Sequence, residues 1–319
     1  MKRVTKINIM FTGMLLIYII MIFAVNLMPN DALSTNVLLV MPELLILVSA
    51  VIICLLVKSP SLKEVELGFV PVSTCLKSVV LAYLCLPLIG VVNAITSMIN
   101  GNAVEGTLEI IETNPLWLNI VMIALIPACA EEFIFRGLIF GAYKKRNPFV
   151  GILLSAFLFG LLHLNVNQLS YAFVLGVVLG FMAYATGSII PSIVMHFTIN
   201  ANSVVVAHLS NNLLKDMGNV GEQSAGSVTN SGSAGLMETL IAMLSVLLIV
   251  AVATSLAVLL FTNICKNNRG IKSVVAIVKK PMRNTYNDEG KFLDGYLITG
   301  MVVATGFIIY VDFVVRLLQ

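Results

Sequence analysis

Glu131, Glu132 and Arg136 stand together in the stretch ACAEEFIFRG, Ala128 to Gly137, inside a long apolar run. A charged side chain at the middle of a bilayer costs about 2.5–3.5 kcal/mol on insertion scales, so such groups persist when paired or when they line a wet cavity. Glu132 and Arg136 are four residues apart, so on a helix their side chains meet and neutralise each other. Glu131 points about 100° round the helix from Glu132, and Arg136 cannot easily serve both. A second carboxylate in a low-dielectric site needs another partner or must hold a proton. That is the behaviour of a general base or of a metal ligand.

The chain has only three histidines. His163 ends the run FLFGLLH, with Phe159 four residues earlier and Gly160 permitting close helix approach. His196 and Asn200 lie four apart in MHFTIN and share one helical face. His208 reads as an interfacial residue. One membrane histidine can serve as a simple interhelical hydrogen bond. Structural glue, however, does not require two carboxylates side by side together with two histidines. Hydrolysis and proton-coupled transport both use such groups. A transporter favours broken helices and inverted repeats, and the sequence shows no internal symmetry.

The elements that must hold these residues follow from composition. The chain has 319 residues, 59% hydrophobic and 11% charged, with a mean hydropathy of +1.00. Soluble domains carry about a quarter charged residues, so this is a polytopic membrane protein, and no nucleic-acid partner is expected. The fold class is all-α, a transmembrane bundle of about nine helices. The spans are placed near 7–28, 36–57, 75–98, 116–142, 149–163, 168–187, 189–209, 236–262 and 293–315, the fifth being short for a full crossing. The chain divides into N-terminal helices over 1–115, a catalytic core over 116–209, and a C-terminal region over 210–319. The five cysteines mostly lie in apolar runs with no CxxC pair, which predicts small buried hydrophobes rather than a disulfide framework.

Basic residues alternate between loops. Lys2, Arg3 and Lys6, then Lys58 and Lys63, then Lys144, Lys145 and Arg146, then the seven cations from Lys266 to Lys291 all fall on one side. The opposite loops hold Asp31, Glu105, Glu109 and Glu112. The asymmetry places the N-terminus in the cytoplasm of a cell-membrane protein. By helix rise, Glu131 lies about 18 Å, His196 about 10 Å and His163 about 21 Å from the cytoplasmic ends of their spans. These depths predict a shared cavity near the membrane middle, open to the cytoplasm. Lys215 to Gly235 reads as a flexible outer loop. Lys266 to Lys291 reads as a solvated basic loop, with a short amphipathic piece at IKSVVAIVKK as the alternative.

Together these residues resemble the CAAX-protease and bacteriocin-processing family of intramembrane endopeptidases, which includes the type II CAAX prenyl proteases. Glu131, Glu132 and Arg136 match its Glu-Glu-x-x-x-Arg motif. Phe159 and His163 match Phe-x-x-x-His, and His196 and Asn200 match His-x-x-x-Asn. The three occur in the family's order over about Ala128 to Asn202. The resemblance implies hydrolysis of a peptide bond in a membrane-associated peptide or protein. It gives Glu131 the role of general base and His163 that of holding the water. His196 and Asn200 become an oxyanion site, with Glu132, Arg136 and Phe159 in support. The family is described both as metalloendopeptidase and as glutamic. If zinc is used, Glu131, His163 and His196 are its ligands; the metal-free mechanism, with no cofactor required, is the expectation here. The expected surroundings are the lipid bilayer and a membrane-associated substrate. A proton-coupled transporter built on the same cluster is the alternative.

Overall fold

A computed structural model describes residues 1–29, 32–100, 114–221, 236–279 and 289–315. Asp31, Glu105, Glu109, Glu112, Lys280 and Arg283 lie outside the described residues, as do 222–235 of the expected outer loop.

With no water in the bilayer core, each backbone N–H must be satisfied within its own helix, so apolar runs become helices. The described chain is helical: α1 (Arg3–Asn26), α2 (Thr35–Leu56), α3 (Val72–Asn100), α4 (Leu116–Tyr143), α5 (Pro148–Leu162), α6 (Val166–Thr186), α7 (Ile190–Gly221), α8 (Leu236–Lys266), α9 (Ile271–Lys279) and α10 (Gly295–Ile309). Eight of these are long and apolar enough to cross a membrane, and α5 is the shorter apolar helix expected. The spans read from the sequence agree with these helices to within a few residues, except that α7 runs on past 209 and α10 ends six residues short of 315.

Polar residues set the helix ends. Asn147 accepts the Val150 N–H at 3.1 Å ahead of Pro148, and starts α5. Asn165 accepts the Gln168 N–H at 2.7 Å and starts α6. Asp294 does the same for α10 through the Leu297 N–H at 3.0 Å. Gly187, at φ 68°, closes α6 in the left-handed region that glycine adopts freely.

The helices of the motif block sit inside the bundle. α4 packs against α2 and α7, and α5 and α6 form an antiparallel pair. α1 packs between α2 and α10. Within α1, Asn8 is fully buried, takes the Tyr143 hydroxyl hydrogen at 2.6 Å and donates to the Phe292 carbonyl. α8 contributes little to the core, only 6% of its most apolar window being buried. Most of its leucines and isoleucines face outward, as lipid-facing side chains do, while Ile264 is buried.

Three expectations need correction. α7 continues to Gly221, so the loop read from Lys215 starts later. Within the basic loop, Ile271 to Lys279 is a helix, not solvated chain. Its apolar residues recur at helical spacing, and Val274 and Ile277 are buried against α5 and α6 residues such as Ile152, Ala183 and Ala185. Of the cysteines, Cys54, Cys85 and Cys265 are buried, but Cys75 is only half-buried and Cys129 is exposed on the bundle.

Candidate active site

α4 is not a uniform α-helix. It widens to π over Ile120–Leu125 and again over Phe133–Ile139, with Glu131 and Glu132 ending the α segment between them. Such π segments recur at functional sites because they turn side chains off the regular register. Glu132 is fully buried and Arg136 nearly so. Arg136 Nη1 donates to Glu132 Oε1 at 2.7 Å, the pair that the spacing predicted. Nη2 donates to the Gly176 carbonyl of α6 at 3.1 Å. The guanidinium lies over the Phe159 ring, 4.7 Å from its centroid.

The same Glu132 Oε1 is 3.0 Å from His196 Nδ1. Glu132 therefore joins α4 to α7 as well as to its own helix. A carboxylate at Nδ1 makes that nitrogen the donor and turns Nε2 toward the other glutamate. His196 Nε2 lies 3.5 Å from Glu131 Oε2. His163 is fixed differently: its Nδ1 faces the Phe159 carbonyl at 3.0 Å, one turn back along α5. Phe159 stands between the two imidazoles, with ring centroids 5.2 Å from His163 and 5.7 Å from His196, both edge to face. This places Phe159 as the shared wall of both histidines and of Arg136.

Two glycines permit the approach. A Cβ on Gly160 would lie 2.7 Å from the Leu169 carbonyl oxygen, and one on Gly176 would lie 3.0 Å from Ala156 and 3.2 Å from Phe159. Their absence lets α5 and α6 pack closely, as Gly160 led us to expect.

Glu131, Phe159, His163, His196 and Asn200 all line one cavity of about 550 Å³. All the predicted catalytic residues are thus brought together, and Glu132 and Arg136 stand behind them. His208 does not line the cavity. The sequence reading missed other wall residues: Tyr18 from α1, Glu43 from α2, Asn93 from α3, and Gln168 and Tyr171 from α6. Glu43 is a polar group within an apolar span, which was the available signal, but it belongs to no motif. Asp312, near the C-terminal end of the last span, belongs to no motif either. It is buried, and it accepts the Val166 N–H at 2.7 Å, helping to hold the start of α6.

Most of the cavity wall comes from the half of the bundle away from the basic loops, while His196 and Ile199 come from the first turns of α7. The α2 wall is Leu39 to Ile46, near the start of that helix; the α3 wall is Leu86 to Asn93, near the end. Met122 and Pro127 come from the first half of α4, Glu131 from just past its middle, and Gln168 to Leu175 from the first half of α6. Most of these lie away from Arg3, Glu66, Lys144 and Arg269, which take part in ion pairs at the other end. Lys144 Nζ and Arg269 Nη2 hold the two oxygens of Glu66 at 2.8 and 3.1 Å. The 15 residues of α5 rise only about 22 Å, and Leu162 and His163 at its end line the cavity.

Among the described residues, no three His, Cys, Asp or Glu side chains come together in a geometry that would hold a metal ion. His196 Nδ1 is on Glu132 and His163 Nδ1 on a carbonyl, which leaves Nε2 of each ring for a water, a substrate oxygen or a metal, the orientation such outer partners also give to zinc-bound histidines.

Residues 113–202 match the model of the type II CAAX prenyl endopeptidase Rce1-like family. The match covers 90 of the chain's 319 residues, and over them the chain is similar to that family. The candidate membrane peptidase YdiL of Bacillus subtilis (strain 168) is 31% identical over 103 residues, 32% of this chain. The match spans 41% of the length of that relative. No solved structure matches the chain. The matched segment contains all three motifs and both π segments of α4.

Proposed function

We propose that the protein is an intramembrane endopeptidase that cleaves a membrane-associated peptide or protein with a water activated by Glu131. The observation that carries this is the convergence of Glu131, His163, His196 and Asn200 on one cavity inside a helical bundle. The family match supports hydrolysis and weighs against the transport alternative.

The geometry gives each residue a task. Glu131 and His196 share one proton across their 3.5 Å gap. With the proton on His196, Glu131 is a carboxylate base and Nε2–H is a donor. Glu131 takes a proton from water as the water oxygen bonds to the scissile carbonyl carbon. The carbonyl oxygen becomes an oxyanion, met by Nε2–H of His196 and the side-chain amide of Asn200. His163, held through Nδ1, presents Nε2 to orient the water. The proton on Glu131 then passes to the leaving nitrogen as the carbon–nitrogen bond breaks. Glu132, braced by Arg136, keeps His196 facing Glu131. CAAX-type processing, peptide maturation and self-immunity are the substrate roles consistent with the family. The N-terminus is cytoplasmic in this reading.

The test is cleavage of a farnesylated CAAX peptide and of a panel of non-prenylated membrane peptides by the purified protein, with and without chelator. We expect cleavage that survives chelation and is lost in Glu131→Gln. Loss on chelation, restored by zinc, would overturn the metal-free scheme. Cleavage retained in Glu131→Gln would remove Glu131 from it.

A further inference from the structure

Glu43 faces the cavity from α2, and the hydrolytic scheme does not use it. Its Oε2 atom is buried and meets no hydrogen-bond partner. Glu43 and Glu131 both line the cavity, whereas no lysine or arginine does. Arg136 is turned away, its Nη1 on Glu132 and its Nη2 on Gly176. The other polar groups of the wall are Tyr18, Asn93, Gln168, Tyr171, Asn200 and Ser203, which carry no charge, and the two histidines already placed. A buried carboxylate oxygen without a donor is costly, and a cationic donor relieves that cost best, because charge-assisted hydrogen bonds are the stronger ones.

We infer that Glu43 is the specificity residue of this cavity and receives a lysine or arginine side chain of the peptide substrate. The inference rests on the protease reading above. Asn114 Nδ2 donates to Asn36 Oδ1 at 2.7 Å, tying the starts of α2 and α4 together. From there Glu43 lies seven residues along α2 and Glu131 seventeen residues along the chain into α4, so the two carboxylates stand at different depths of one cavity. The cationic residue therefore sits to one side of the bond to be cleaved.

Binding tests this apart from turnover. The full chain carrying Glu131→Gln, in lipid nanodiscs, is titrated against a fluorescein-labelled apolar peptide with one lysine moved along it, and against the same peptide with norleucine. We expect lysine at one register to bind at least tenfold more tightly than norleucine. With Glu43→Gln added, that ratio falls to about one; Glu43→Asp, which keeps the charge, preserves a preference and serves as the folding control. A ratio near one at every register, an unchanged ratio in Glu43→Gln, or no binding of any peptide would overturn the inference. Cleavage by the unmodified protein is scored separately, so failure of the protease reading is visible on its own.

Discussion

Glu132 and Glu131 are neighbours with different work, and substitution separates them. Glu132 Oε1 holds both Arg136 and His196, at 2.7 and 3.0 Å. Glu132→Gln leaves the buried Arg136 uncompensated, and breaking a buried pair from one side costs about 3–5 kcal/mol. Unfolding in mixed micelles will show this loss, and adding Arg136→Met will recover part of it. Glu131→Gln should leave unfolding nearly unchanged and lower the cleavage rate about 10²–10⁴-fold, the range for removing a general base. The Glu132–Arg136 pair was legible because i,i+4 spacing on a helix is local geometry. His196 lying between both glutamates was not, since the spacing within each motif says nothing about how α7 meets α4. Glu43 was hidden for the same reason: it sits far from the motifs in sequence and reaches them only through the packing of α2 on α4.

At the scale of the elements, α5 and α6 set the shape of the site. A Cβ on Gly160 would meet a backbone carbonyl at 2.7 Å, and backbone cannot rotate aside as a side chain can. Gly160→Ala should therefore part α5 from α6, costing about 1–3 kcal/mol as overpacking does. Thermal unfolding will report that loss, and peptide cleavage will fall with it because His163 ends α5. The span boundaries were legible almost throughout, since apolar length is set by bilayer thickness. The π segments of α4 were not, because one extra residue per turn leaves the hydropathy of the run unchanged. The α9 helix was undervalued because its apolar stripe is only Ile271, Val274, Ile277 and Val278 among lysines. Its partners on α5 and α6 supply the burial that the segment alone cannot.

Over the whole molecule, the basic loops gather at one end and most of the cavity wall lies toward the other. If cations mark the cytoplasmic face, the site is reached from outside the cell. In a cysteine-free background, a membrane-impermeant maleimide should label Ser203→Cys in intact cells and Lys272→Cys only after permeabilisation. The reverse pattern would place the cavity on the cytoplasmic side. The central claim is that Glu131 activates a water for peptide hydrolysis. The most direct check is cleavage of a peptide from the panel in ¹⁸O water, followed by mass spectrometry of the new carboxyl terminus. The account predicts one ¹⁸O in the wild-type product and labelled product formed about 10²–10⁴-fold more slowly by Glu131→Gln. Labelled product accumulating at the same rate in Glu131→Gln would contradict it.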